Sequence, residues 1–289
     1  MPSDLPPRSG GRAYLLGAAG PPAARSGADR DLELASAFER TVSEGHRRMT
    51  RTWPGLLATG AVGGVDVSMG LLGLLVVKAA TGSTLLAALA FSIGFIALTL
   101  AGSELFTENF LVPIAAVAAR HSSPLALARL WLGTLVTNLL AGWVMTWIIV
   151  TALPNLRATA VDVASGYAKL GIGSESFCLA LLGGVVITLM TWMERSTTSV
   201  PGKIVAAVSA AFLLASASLN HAIVVSLEMF AALHAGARFG YASWFGMMLW
   251  ASLGNILGGV GLVTVLRLVQ VGRRKLQEEE RRPVGETGD

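Results

Sequence analysis

Two short stretches hold the residues that could do chemistry. In SASLNHAIVVSLEMF, residues 216–230, Asn220, His221 and Glu228 interrupt an otherwise apolar run. In GSELFTENF, residues 102–110, Glu104, Thr107, Glu108 and Asn109 do the same. A charged side chain in hydrocarbon costs roughly 2.5–3.5 kcal/mol on insertion scales, so such residues imply a polar or protein-buried setting. A histidine can exchange a proton near physiological pH. His221 stands two helical turns from Glu228 on one face, with Val224 and Val225 between them. A titratable group, an apolar gate and an acid in that order suit transport better than covalent chemistry. No nucleophile–base pair or phosphate loop accompanies them. The scattered histidines and the single cysteine make no metal-ligand set. The expectation is a chain without enzymatic activity, cofactor or metal.

Each stretch carries signs of a broken helix. Gly102 and Ser103 weaken the first helix. Thr107 and Asn109 can cap a new one running through FLVPIAAVAA, with Pro113 in its first turns, where a missing donor costs little. In the second stretch Ser216 and Ser218 dilute the helix, and Asn220 is a good N-cap for a half-helix starting at His221. The free N–H groups at such a start favour an anion. Glu108 would share a face with Glu104 if the helix continued. Asp66 either lines the path or bonds to backbone freed at a break. Glu104 and Glu228 occupy matching contexts, ELF and EMF. They either line the path or serve the structure, by pairing across a pseudo-twofold or by capping the opposite half-helix. Phe106, with an apolar residue of the second stretch such as Leu219 or Val224, is expected to narrow the path.

These stretches need long apolar elements to hold them. The chain of 289 residues is 53% hydrophobic and only 14% charged, which fits a polytopic membrane protein. Segments 79–103, 130–156, 204–227 and 239–266 carry no formal charge, and a span needs roughly 20 apolar residues. The predicted spans are about 54–80, 84–119, 127–151, 173–193, 203–232 and 242–270; the second and fifth are too long for one straight crossing. Asp66 falls in the middle of the first. Residues 1–50 are expected to be a cytoplasmic tail: disordered to about 30, then an amphipathic helix at the membrane surface with Leu32, Leu34, Phe38 and Val42 on its apolar face. Residues 51–271 form the transport domain and 272–289 a polar cytoplasmic tail. Cys178, in an apolar run, is expected to be a small core residue.

Only Lys78, Arg157, Lys169 and Arg238 of the 22 Lys and Arg residues fall on the loop side opposite the termini. The excess of positive charge on the other side places both termini in the cytoplasm. The basic residues form no stripe with interleaved aromatics, which argues against nucleic acid as a partner. Three spans per half invert one half relative to the other, and paired interruptions in inverted halves point to a transport site. The predicted fold is therefore an all-α membrane protein with six transmembrane helices in two inverted three-helix repeats, the second and fifth broken. Gly254 and Gly258 have the spacing of close helix packing.

ELFTEN at 104–109, NHAIVVSLEMF at 220–230 and GNILGGVGL at 254–262 resemble the formate/nitrite transporter family, most closely its YfdC-like branch. The segment 44–70 also resembles that branch's entry into its first span. The likeness covers roughly 40–270. It implies an aquaporin-like protomer in a homopentamer in the cell membrane, with one path per protomer. In that pattern an Ω-shaped loop breaks the second helix and a short loop breaks the fifth. A central histidine, matched by His221, sits between apolar constrictions, and the Ω-loop threonine is matched by Thr107. Better-known members have an Asn four residues after the histidine, where this chain has Val225. They also carry a lysine before the fourth span, and Lys169 is near that place. Glu108, Glu228 and Asp66 are additional acids. The resemblance implies passage of a small monovalent anion such as formate, nitrite, hydrosulfide, acetate or lactate, together with a proton. Two other functions compete: a cation or neutral-solute pore lined by Asp66, Glu104, Glu108 and Glu228, and a membrane scaffold without transport.

Overall fold

The computed structural model describes residues 27–272, with side chains from residue 34 onward. The expectations for residues 1–26 and for the tail beyond 272 lie outside the described residues. Eleven α-helices follow one another, with no strand among the described residues. They are α1 (Gly27–Thr50), α2 (Trp53–Thr81), α3 (Thr84–Ala101), α4 (Val112–Ala118), α5 (Pro124–Ala152), α6 (Arg157–Leu170), α7 (Ser174–Ser196), α8 (Val200–Ser216), α9 (Ala222–His234), α10 (Tyr241–Ile256) and α11 (Val265–Val271). Pro124 and Pro201 open α5 and α8, where Ser123 and Ser199 accept from the first-turn amides of Ala126 and Gly202. A π-helical stretch, Leu257–Thr264, joins α10 to α11.

By length and composition α2, α3, α5, α7 and the run from Tyr241 to Val271 can each cross a membrane. The remaining passage is composite. α8 and α9, of 17 and 13 residues, meet across the break at 217–221. The halves correspond: α2, α3–α4 and α5 match α7, α8–α9 and α10–α11. The broken helices pack through α3 against α8, and each half is tied to the other by α5 on α9 and α7 on the 106–110 turn. Backbones come close where glycine leaves room. A Cβ at Gly184 would collide with the Asn255 carbonyl, and one at Gly258 with the Leu181 carbonyl. This is the tight packing expected of Gly254 and Gly258.

The segment between the third and fourth spans holds a further helix, α6, whose Ala160, Ala164 and Tyr167 are buried. Two expectations are corrected. The apolar face of α1 lies on protein rather than on the membrane surface: Phe38, Val42 and Met49 pack with Ala115, Ala116, Leu130 and Val271. Cys178 is exposed on α7 rather than part of the core.

Candidate functional site

The site forms where the two breaks meet. α3 stops at Gly102, which takes a left-handed φ of 65°. The chain then runs extended to Leu105 and makes one 3-10 turn, Phe106–Phe110, before α4. In the other half α8 ends at Ser216, and Ser218 adopts a positive φ of 49°, unusual for a residue with a Cβ. His221, not Asn220, is the N-cap of α9; its Nδ1 accepts from the Val224 amide at 3.2 Å. Asn220 instead donates to the Ser176 carbonyl and the Met247 sulfur. Thr107 and Asn109 likewise do not cap α4, which begins at Val112 after Leu111 with no side-chain cap. In both cases the short loop turns the expected capping residue away from the new helix.

Two asparagines missed in the sequence hold these loops open. Asn138 of α5 accepts from the Phe106 amide (2.8 Å) and donates to the carbonyls of Gly60 (2.6 Å) and Glu104 (3.0 Å). Asn255 of α10 accepts from the Ala222 amide (2.9 Å) and donates to the carbonyls of Ala180 (2.7 Å) and Asn220 (3.0 Å). Both are fully buried. A break frees backbone donors and acceptors that hydrocarbon cannot satisfy. A primary amide, with one acceptor and two donors, fits that need. The same three bonds at both breaks are the pseudo-twofold expressed in side chains. A polar residue in mid-span was the available signal.

Between the loops, Thr107 Oγ1 lies 2.6 Å from His221 Nε2. A backbone amide can only donate, so Nδ1 is the acceptor and the ring proton sits on Nε2. Nε2–H therefore donates to Thr107 Oγ1, and the threonine keeps its own hydroxyl proton for another acceptor. Both residues are completely buried. Phe106, Leu219 and Val224, near these two residues in the chain, belong to one buried apolar cluster. Phe106 packs edge-on against Phe110 and Trp131, and Trp131 Nε1 donates to the Asn109 carbonyl at 2.9 Å, which fixes the turn.

The acids are not gathered at this pair. Glu104 is ion-paired with Arg51 and with Arg48 (3.4 Å). Glu228 is hydrogen-bonded by Tyr167. The expected pairing of Glu104 with Glu228 is thus absent; each finds a partner on its own side. Asp66 accepts from Ser103 Oγ at 2.5 Å, so it braces the first break. Asn109 Oδ1 accepts from Arg48 at 3.0 Å, and its amide donates to the Leu105 carbonyl. Glu108 is buried close to Arg48 and Glu194. It shares no helical face with Glu104, because Glu104 and Leu105 lie before the turn that starts at Phe106. Lys169 is exposed; the cation on the far side of the site is Lys78, bonded to Gly82 O and Thr84 Oγ1.

Arg48, on α1 and 4% exposed, is the hub of the other side. Burial disfavours its charge, but Glu104 and Glu44 outweigh that and raise its pKa. Burial would likewise raise the Glu44 carboxyl, but hydrogen bonds from Arg47 and the charge of Arg48 hold it at about 2.

Comparison with known proteins agrees with this architecture. The family model described as formate/nitrite transporter matches residues 35–269. The chain is 26% identical over 256 residues to the inner membrane protein YfdC of Escherichia coli (strain K12), covering 84% of this chain and 81% of that one. It is 24% identical over 259 residues to a transporter of Bacillus subtilis (strain 168), YrhG, covering 85% and 96%. Among solved structures, a pentameric formate channel with formate bound superposes with a TM-score of 0.63 at 19% identity, covering 74% of this chain and 95% of that chain. With broken helices in two inverted halves and a family match across nearly the whole described chain, this multi-pass membrane protein belongs to the formate/nitrite transporter family.

Proposed function

We propose that the protein conducts a small monovalent anion of the formate, nitrite, hydrosulfide or short monocarboxylate class, together with a proton, through each protomer of a homopentamer. The observation that carries this is the Thr107–His221 pair, fully buried and flanked in the chain by the buried apolar residues Phe106, Leu219 and Val224. The free hydroxyl proton of Thr107 offers a bond to an acceptor, and an anion is an acceptor. The apolar walls oppose a bare ion, and taking the proton along removes the charge. His221 is the titratable group beside the path able to relay it, gaining a proton at one ring nitrogen as the other gives one up. The α9 amides lie at the same point, with the partial positive charge of a helix start. Membership of a transporter family, and the formate found in a pentameric neighbour of the same fold, support the reading. So do the ion pairs of Glu104 with Arg51 and Arg48 and the bond of Asp66 to Ser103, which engage two of the four acids that a cation pore would need.

In this reading residues 51–271 are the transport unit in the cell membrane, and both tails are cytoplasmic. Native mass spectrometry in mild detergent tests the assembly; a dominant monomer or trimer would refute it. Proteoliposome flux of labelled formate against sodium, with empty vesicles as control, tests the activity. Formate flux should rise as outer pH falls. His221→Asn should retain some flux without that response. A wild-type pH profile in His221→Asn would make His221 structural and sink the central site.

A further inference from the structure

Glu228 is a buried acid that faces a cavity beside the path. It is 5% exposed, and its Oε2 has no hydrogen-bond partner. Its other contact is the buried hydroxyl of Tyr167, which donates to the carboxyl. The cavity in front of it has a volume of about 340 Å³ and is lined by Leu74, Lys78, Asp162, Tyr167, Glu175 and Glu228 among others. Seven residues of helix separate Glu228 from His221, about 10 Å at the α-helical rise. Val224 lies between them. Glu228 therefore stands just outside the apolar constriction, on the side away from α1.

We propose that this cavity is an antechamber in which Glu228 Oε2 gives a proton to an entering small carboxylate or similar weak-acid anion. The inference rests on the anion-conducting reading above. The step is a plain proton transfer. The O–H bond at Glu228 Oε2 breaks, an O–H bond forms on the anion, and the neutral acid moves on past Val224. The carboxylate left behind takes its next proton from outer water. Tyr167 O–H holds the other oxygen and keeps Oε2 turned to the cavity. An unpaired oxygen at the wall of a cavity is what such a donor needs: a hydrogen-bonded one would be occupied, and an ion-paired one would not keep a proton.

The charged and titratable groups facing Glu228 are Lys78 from α2, Asp162 and Tyr167 from α6, and Glu175 from α7. Of the other elements packed on α9, α5 carries only Arg129, at its far end, α10 only Tyr241, at its first residue, and the 106–110 turn Glu108; α2 also carries Asp66, which is bonded to Ser103. On α9 itself the titratable neighbours are His221 and His234. Lys78 draws the anion in, and its own bonds to Gly82 O and Thr84 Oγ1 keep it from closing on Glu228.

The test uses the full-length protein in lipid nanodiscs and in proteoliposomes, with formate as probe and Glu228→Gln as variant. Gln keeps the volume and still accepts from Tyr167. Infrared difference spectroscopy should show a protonated-carboxyl C=O band that loses intensity when formate is added, and that is missing in Glu228→Gln. Formate flux at neutral outer pH should fall about ten-fold or more in Glu228→Gln, the scale of a lost proton donor. Tyr167→Phe should shift the outer-pH profile while assembly is kept. A formate-responsive carboxyl band that persists in Glu228→Gln would overturn the assignment, as would a wild-type flux and pH profile in that variant; the anion-conducting reading would stand. A Glu228-dependent band that responds to formate in a protein without formate flux would support the antechamber and overturn the conducting reading instead.

Discussion

Replacing Asn255 by Ala should unfold the second break. The substitution orphans the Ala222 amide and removes the donor to the Asn220 carbonyl, both in residues that are fully buried. It also removes the bond to Ala180 O, which keeps its helical partner. A buried polar group left unpaired costs about 1–3 kcal/mol, and a lost bond to an already satisfied carbonyl about 1 kcal/mol. The expected loss is therefore about 3–7 kcal/mol. Asn138→Ala removes the matching three bonds at the first break and should cost the same within about 1 kcal/mol, since the same groups are orphaned. Asn255→Asp keeps the volume and the acceptor but turns an oxygen toward two carbonyl oxygens, so it should be no better than Ala at neutral pH. The assay is unfolding in mixed micelles by SDS titration, followed by tryptophan fluorescence, with formate flux in parallel. A loss below about 1 kcal/mol at both sites, or a well-tolerated Asp, would show that the asparagines do not hold the breaks.

The remaining predictions concern the constriction, the α1 anchor and the topology. Phe106→Ala and Val224→Ala should each raise the leak of proteoliposomes, because both side chains are buried in the apolar cluster around the Thr107–His221 pair; unchanged flux in both would place the gate elsewhere. Glu44 is held at about 2 from an ordinary value of 4.5, so it stabilises the docked α1 fully above pH ~4.5 and loses that contribution as pH falls toward ~2, up to about 3 kcal/mol. Glu44→Gln should make α1 more open to limited proteolysis at neutral pH and flatten its acid dependence; equal proteolysis of wild type and variant across that range would refute the anchor. Single cysteines should label from outside at Ser165 on α6, and at Ser122 between α4 and α5 only after permeabilisation. The reverse pattern would invert the topology.

The sequence by itself determined the class of fold, because hydrocarbon allows little else. Charge-free runs with two overlong, polar-interrupted members force an all-helical membrane protein with paired breaks. The mid-span position of His221 marked it as a candidate pathway residue before any contact was known. Capping propensity, by contrast, misled at Asn220, Thr107 and Asn109. It describes a helix start in water, whereas here α5 and α10 supply the partners for the freed backbone and the loop residues point elsewhere. The partners of the acids were also beyond the sequence. Glu104 faces Arg48 and Arg51 only because α1 folds back over the first break, and Glu228 meets Tyr167 only because the segment after α5 forms α6. Those contacts join residues far apart in the chain. Local spacing carries periodicity and end signals but not which helix lies beside which. Tertiary packing alone therefore decided that the histidine meets a threonine from the other half, and that Glu228 is left facing a cavity.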